Sequence, residues 1–585
     1  MNHEIKARNS NGESGAALVL ALLMMALLLA LTMGMSMTAV SELGVSNTYS
    51  NQTQAFQAAE AGLYHSVNLV RNYTGTTSAA SGFTDLLSER VKNGTFNAYY
   101  LSGNNPFTDS SQFTAGCVMI NNDDAAGHAL RSAILDGAGN QLAVPGVHYQ
   151  VHLVDDEKST SGANPRIPNF TPSIAWEDAD AAKDTNNRVV VYSTGTYGGS
   201  SVTLEGWIGF VPYPAFVAQR DVIVDGNSQI QGAYGGVHSN ENLTVAGSAD
   251  IAQTATAVGT GTFTTSGTIG GFHDGGQDPL YIPKFVTEPT ATSSPHVQDY
   301  IVRTADVILI DPGFANGATR DLSGTDPATV RLKKLADSLG IPAAQYTDFA
   351  TSIDSNTSGN VDQSGAEAVG INRATNPITF TRVTTSLSTY GWNYSGNNWN
   401  IPSNSTGASG HTFYVVGLDN YNLADPGNSP KNGGNVDIQG NAGTSASPIQ
   451  ATILCTGSIT VSGNPYLVAN LQNLRTNELP PFVTINILLA AVEDLQINGD
   501  VGAGSGIIRF SGICYAGEQV YLSGNGEIQG QVLALNNPNV YGTGGSTASP
   551  VDRDDNEVTG SFLLNFDGGR SVGKIKLMSW RQIKQ

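Results

Sequence analysis

Charge is scarce in this chain, and positive charge scarcer still. Asp, Glu, Lys and Arg make up 13% of 585 residues, about half the usual share. The 28 Lys and Arg are outnumbered by 49 Asp and Glu, for a formal net charge of −21. A surface of that sign repels phosphate backbones, which argues against a nucleic-acid partner. Cysteine is nearly missing: Cys117, Cys455 and Cys514 are too few for a disulfide scaffold or a four-cysteine zinc site. They leave room for one bridge, Cys455–Cys514, in an oxidising compartment, or for two buried thiols. Catalytic signatures are missing as well. There is no nucleophile elbow, no phosphate-cradling glycine loop ending in Lys-Ser/Thr, and no His-Glu-x-x-His. The expectation is a protein that is not an enzyme.

What is present points to β-structure. Glycine reaches 67 residues, well above the average of ~7%. Hydrophobic residues still make up 40%, and many fall in alternating runs, so disorder is the weaker reading. The amino terminus contrasts with everything after it. From Ala16 to Val40 there are 25 positions without a charged residue. At about 1.5 Å per residue that exceeds a hydrocarbon core of ~30 Å. A secretion signal has a shorter apolar region and then a cleavage site. Here the helical pattern continues through Val40, Leu43, Phe56, Ala59, Leu63, Val67 and Val70. Lys6 and Arg8 precede the run, which predicts a cytoplasmic amino terminus and an exported remainder.

A short basic leader ends in Gly15, followed by "AALVLALLMMALLLALTMGMSM" and then by "NQTQAFQAAEAGLYHSVNLVRN" at 51–72. This resembles the PilX-type minor pilins of type IV pili and the K-type pseudopilins of type II secretion. The block Ala55 to Leu63, "AFQAAEAGL", is its most specific part, and the match extends to 147–211 and to the final "LMSWRQIKQ". The resemblance implies cleavage by a prepilin peptidase between Gly15 and Ala16, or alternatively between Gly12 and Glu13. It also implies that the freed helix joins a filament through Leu20, Ala26, Ala30, Gly34, Phe56, Ala59 and Glu60. Major pilins carry a Glu at the fifth mature position, where this chain has Leu20 or, with the other cut, Ala17. That departure fits a tip subunit and not the bulk subunit. Apart from any family, Ala26, Ala30, Gly34 and Ser41 form a small-residue face suited to close helix packing.

The remainder divides by texture. Residues 1–15 read as leader, 16–72 as the transmembrane and filament helix, and 73–220 as a pilin-like α+β region. Within that region "VHYQVHLVDDE" alternates, and 187–211 is a hairpin around Tyr-Gly-Gly. From 221 short apolar strands end in Gly or Asn, as in "DVIVDGNSQIQG", "GSITVSGNP" and "VYLSGNGEIQGQV". They read as a β-solenoid over 221–287 and 376–540, with a β-sandwich as the alternative because the spacing is irregular. Residues 288–375 read as a helical insertion, whose "TDPATVRLKKLADSLG" is capped by Thr325 or Asp326 and closed by Gly340. A second helix spans 342–352, and 541–585 reads as C-terminal strands. The fold class is therefore mainly β with a long amino-terminal α-helix: helix plus antiparallel sheet, then a solenoid carrying a helical insertion.

One stretch has the spacing of a calcium loop. In "DSNTSGNVD" the oxygen-bearing residues Asp354, Asn356, Ser358 and Asp362 hold positions one, three, five and nine, Gly359 is at six, and Asn360 would offer its carbonyl. Gly365 stands where a bidentate carboxylate is needed, so an ordinary polar turn is the other reading. No other cofactor is expected. Asp437, Asp494, Asp500 and Glu527 are carboxylates of the solenoid without a spacing that singles out a pair, and Trp392 and Trp399 would either stack on sugars or plug an edge.

Two functions remain open. The first is a minor-pilin-like assembly protein of a type IV pilus or related filament, at the tip, in the bacterial inner membrane and then the periplasm or the extracellular filament. It would display its β-rich body for adhesion. Its partners would be other minor pilins, the assembly machinery, the peptidase, and a surface glycan or tip adhesin. The second is a single-pass anchored solenoid that binds or cleaves polysaccharide.

Overall fold

The computed structural model describes residues 11–71, 117–120, 128–135, 141–155, 188–286, 301–354, 359–363, 365–383, 387–402, 405, 407–417, 433–444, 446–474, 485–499, 510–535, 555–568 and 572–583. Helix α1 (Asn11–Arg71) is 61 residues long, or about 90 Å. Its first half is exposed on every side, and burial begins only near Asn51. There the helix meets an antiparallel sheet. Strands β1 (Cys117–Ile120) and β2 (His128–Leu135) share one edge of β3 (Gln141–Asp155), which pairs with β4 (Arg188–Tyr197), which pairs with β5 (Ser200–Pro212). The strand beyond β5 is the last of the chain, Gly573–Ile583. Ala55, Ala58, Ala59, Leu63, Val67 and Val70 are buried on the sheet face of α1. Contact is close because β4 offers a glycine there. A Cβ built on Gly195 would collide with the Ala55 carbonyl and stand 2.5 Å from the Ala59 nitrogen.

The described residues between β5 and the final strand form a β-solenoid with its end cap, inserted into one hairpin of this sheet. Its strands run parallel on three faces. The first rung is Phe216–Ala218, Val222–Val224 and Gln229–Gln231, and the next two stack outward in sequence order. The chain then returns along the solenoid. Asn240 holds both backbone groups of Leu280 at 2.8 and 2.7 Å, and the Phe285 ring lies 5.0 Å from that of Tyr515. At the opposite end the chain builds a cap, and from there its rungs stack back toward the start. The final rung, Val532–Ala534, Asn556–Val558 and Leu563–Asn565, pairs with the first one. Asn556 stitches that join from an inward position. Its amide donates to the Asp221 carbonyl at 3.0 Å, and its Oδ1 accepts from the Val520 N–H at 3.0 Å.

The shortest rungs span eighteen residues, as in the side-chain pairs His238–Thr256 and Ser248–Ser266, and the first spans twenty-one. Extra residues leave at the corners, so Asn498 meets Ser523 at a separation of 25 and Val520 meets Asn556 at 36. These excursions explain the irregular spacing of the sequence motif and set aside the sandwich. One corner is a column of glycines in the left-handed region: Gly440, Gly463, Gly499, Gly524, Gly560, Gly226 and Gly247, with φ between 64° and 106°. A Cβ on Gly524 would stand 2.6 Å from the Gly499 carbonyl oxygen, so both backbone sign and space demand glycine.

The cap holds the two expected helices. In α2 (Pro327–Ser338) Asp326 is the N-cap, accepting from the Thr329 N–H at 2.9 Å, and Gly340 follows with φ 68°. Helix α3 is Tyr346–Ile353. Strand Val307–Ile310 joins the cap to the solenoid by pairing parallel with His411–Val416. Trp392 and Trp399 are fully buried plugs of this end and are not exposed sugar platforms. The Trp399 indole donates to Asp311 Oδ1 at 2.7 Å, and the Gly434 N–H donates to Oδ2 at 2.6 Å.

Burial pushes the Asp311 carboxyl up to about 6, with the Gly434 and Trp399 hydrogen bonds opposing it. Its folded pKa therefore lies above the unfolded value of ~3.9. The native state holds more protons between the two, so this group's contribution is full below about pH 4 and is lost as pH rises through about 6. The loss should be on the order of 2 kcal/mol. Urea unfolding at several pH values should show the decline in the parent chain and its absence in Asp311→Asn.

The neck of the insertion is held by one buried glutamine. Gln531 donates to the Tyr213, Pro214 and Val572 carbonyls at 3.3, 3.2 and 3.2 Å and accepts from the Val572 N–H at 2.9 Å. Gln531→Leu leaves these buried groups without that partner, at a cost of about 2 kcal/mol. Urea midpoints of the two chains measure it, with unchanged helix content by circular dichroism.

Candidate functional site

The segment of α1 that no part of the body covers is the first candidate site. The stretch Gly15–Asn68 contains a window of mean hydropathy 2.7, long and apolar enough to cross a membrane, and none of that window is buried. Such a helix suits a single-pass anchor or a signal sequence. Two of its hydroxyls are satisfied within the helix. Thr32 donates to the Leu28 and Leu29 carbonyls at 2.9 Å each, and Thr38 donates to the Gly34 carbonyl at 3.0 Å. No hydroxyl of this pair needs water, which is the condition for burial in hydrocarbon or against another apolar helix. Leu20, Ala26, Ala30 and Gly34 are all exposed, and a Cβ on Gly34 would meet nothing within 4 Å. Gly12, Glu13, Gly15 and Ala16 lie in the first turns of the same helix. The basic leader before Asn11 lies outside the described residues.

Two residues expected to face filament neighbours face the chain's own sheet. Ala59 is fully buried at Gly195, and Phe56 is half-buried with its ring 5.8 Å from that of Trp580. Glu60, one position further, is half-buried as well. The reason is that the sheet takes over this face of α1 from Asn51 onward, whose amide already reaches the Gly198 carbonyl at 3.3 Å.

The calcium loop is organised around a guanidinium. Arg320 Nη2 lies 2.7 Å from Asp354 Oδ2, with side chains only 9% and 7% exposed. Arg320 also donates to the Asp354 and Asn360 carbonyls at 3.2 and 3.4 Å, and the Asp362 N–H donates to Asp354 Oδ2 at 2.8 Å. Loop oxygens that the spacing assigned to a metal thus converge on a cation already attached to the chain. Asn356 and Ser358 lie outside the described residues. Among the described residues no three His, Cys, Asp or Glu side chains gather as a metal site.

The expected bridge does not form. Cys455 and Cys514 are both free and buried. Strand Ile485–Ala491 runs between them, pairing Cys455 with Ala491 on one side and Cys514 with Leu489 on the other. Adjacent strands are ~4.8 Å apart, so two rungs separate the thiols by about 10 Å, beyond disulfide reach. Burial raises both, Cys514 to about 12.

Among the described residues, the solenoid carboxylates singled out above are not brought together. Asp437 and Glu557 stand in one outward row of a single face, linked through Thr460, Gln496 and Tyr521. Four rungs separate them by about 19 Å, against roughly 5–9.5 Å for the two acids of a glycosidase. Asp494 sits at a corner, accepting from the Gln519 N–H at 3.1 Å, and Glu527 belongs to another face. Asp500 lies outside the described residues.

No protein-family model matches the chain, and no curated protein matches it. Among solved structures it is similar to the competence-associated pilin ComZ from Thermus thermophilus. The identity is 13% and the TM-score 0.24, over 91% of this chain and 97% of that one.

Proposed function

We propose that the chain is a pilin-like structural subunit, and more narrowly a minor, tip-located one. Its α1 would enter a filament of helices while the solenoid is displayed outward. The observation that carries this reading is the division of α1 into two halves without a break. Residues 15–40 are apolar, 41–50 turn polar, and both stretches are uncovered, whereas 51–70 dock on the sheet. A helix used only as an anchor has no need for that continuity. A filament subunit needs it, because the same rigid rod must transmit position from the helix bundle to the body. In this reading prepilin peptidase cuts before Ala16, or before Glu13, and the amino terminus begins in the cytoplasm. Leu20, Ala26, Ala30 and Gly34 face neighbouring helices, and helix packing holds the subunit after extraction from the inner membrane. No reaction is catalysed, and adhesion is the role of the displayed face.

The test is incorporation. The full chain, expressed in a host with a working pilus machinery, should appear in the sheared surface-filament fraction. Gly34→Leu, which widens the closest helix approach, should reduce that amount severalfold while the membrane fraction holds normal levels. A chain confined to the membrane fraction in both cases contradicts the proposal and favours the anchored solenoid.

A further inference from the structure

The uncovered half of α1 carries a second pattern besides its small residues. Leu31, Met35, Thr38, Glu42, Val45 and Tyr49 follow one another at steps of four, three, four, three and four. That spacing lines up one seam on a helix, of the kind that meets a facing helix knob into hole. All six are exposed, and they line two shallow grooves that meet at Glu42. Seven positions past Tyr49 the seam reaches Phe56, half-buried beside Trp580, so a helix that follows it runs out onto the body.

A carboxylate at the centre of such a seam calls for a reason. Glu42 is the only charged residue between Gly15 and Glu60. Among the described residues no side chain pairs with it. It lies 26 residues past Ala16, about 39 Å along the rod and beyond a hydrocarbon core of ~30 Å. In the membrane the carboxylate therefore reaches water. Against another helix it loses that water and needs a cation in exchange.

This helix has no cation to give. Between Arg8 and Arg71 there is no Lys or Arg. A second copy packed in register sets Glu42 against Glu42, and like charges so placed repel. A second copy shifted by those 26 residues would bring its processed amino terminus to Glu42. Its apolar stretch would then lie along residues 42–66, where Phe56 and the residues beyond it are engaged by the body.

We propose that Glu42 selects the neighbour: the seam takes the helix of a different subunit, one that presents a Lys or Arg at the height of Glu42, and rejects a second copy of this chain. This role rests on the filament reading and deepens it by naming what the neighbour must carry. A single polar residue in an otherwise apolar seam fixes register and partner at some cost in stability.

The test uses the full chain in a host with a working pilus machinery and compares the sheared surface-filament fraction with the membrane fraction. Glu42→Lys sets like charges face to face and should reduce the filament amount by about tenfold or more at a normal membrane level. Asn47→Lys adds the same charge about 140° around the helix and should be incorporated like the parent. Tyr49→Cys, mildly oxidised within filaments, should give no covalent dimer of this chain beyond what the parent gives. Incorporation of Glu42→Lys at the parent level overturns the proposal. Equal loss of Asn47→Lys, or a covalent Tyr49→Cys dimer, overturns it too. A parent chain absent from the filaments is a different failure, because it removes the filament reading and this inference with it.

Discussion

Gly195→Val should lift α1 from its sheet. The Val Cβ has nowhere to go, since its position overlaps the backbone of Ala55 and stands 2.5 Å from the Ala59 nitrogen. A flexible side chain could swing away, but helix backbone cannot. Overpacking in cores costs typically 1–3 kcal/mol, and a collision of backbone with Cβ belongs at or above the top of that range. The loss of contact at Ala55 and Ala59 then exposes Leu63 and Val67, both buried now. The expected effect is on the order of 4 kcal/mol, comparable to that of a large core cavity. Limited proteolysis should cut the variant between α1 and the sheet at a protease level that leaves the parent intact. The solenoid, which lies beyond Pro212, should keep its own resistance.

Arg320→Ala should be nearly as damaging, for an electrostatic reason. It strands Asp354, whose side chain is 7% exposed, without its counter-charge. Removing one partner of a buried pair costs about 3–5 kcal/mol. The same substitution tests the loop. In the parent chain the guanidinium occupies the oxygens, so millimolar calcium should not shift the thermal midpoint. In Arg320→Ala the freed Asp354 carboxylate and the Asn360 carbonyl become available, and calcium should recover part of the lost stability. A calcium-induced rise in the parent chain would show that the ion and Arg320 coexist.

Which parts were legible in the sequence follows from the range of each signal. The cap helix α2 was readable to its ends, because Asp326, Pro327 and Gly340 act on their immediate neighbours. The Val/Ile-x-Gly-Asn phrase was readable as a repeat because each rung needs a left-handed corner at the same place. The apolar half of α1 was readable from composition alone. What failed was long in range. Nothing local tells Gly573–Ile583 that its partner is β5, more than 360 positions earlier, since a strand's alternation names no partner. The same blindness hid the direction of stacking: the first rung sits inside the pile, joined to the last one through Asn556 and Asp221.

The expected site residues divide the same way. Asp354 to Asp362 has metal-like spacing, but the cation that fills it comes from 34 residues upstream. Cys455 and Cys514 do share one face of the solenoid, as a bridge would need, and miss by a single intervening strand. Phe56 and Ala59 sit at correct helical positions for packing, yet the surface they pack on is β4 and the final strand. Each of these turned on a partner remote in sequence.

The account stands on α1 as a processed filament helix, so its first residue is the quantity to measure. The full chain should be purified from cells with and without a prepilin peptidase and its amino terminus determined by mass spectrometry. A peptidase-dependent start at Ala16, or at Glu13, is expected. An amino terminus at Met1 in both preparations would contradict it, leaving a single-pass anchored solenoid whose helix never leaves the membrane.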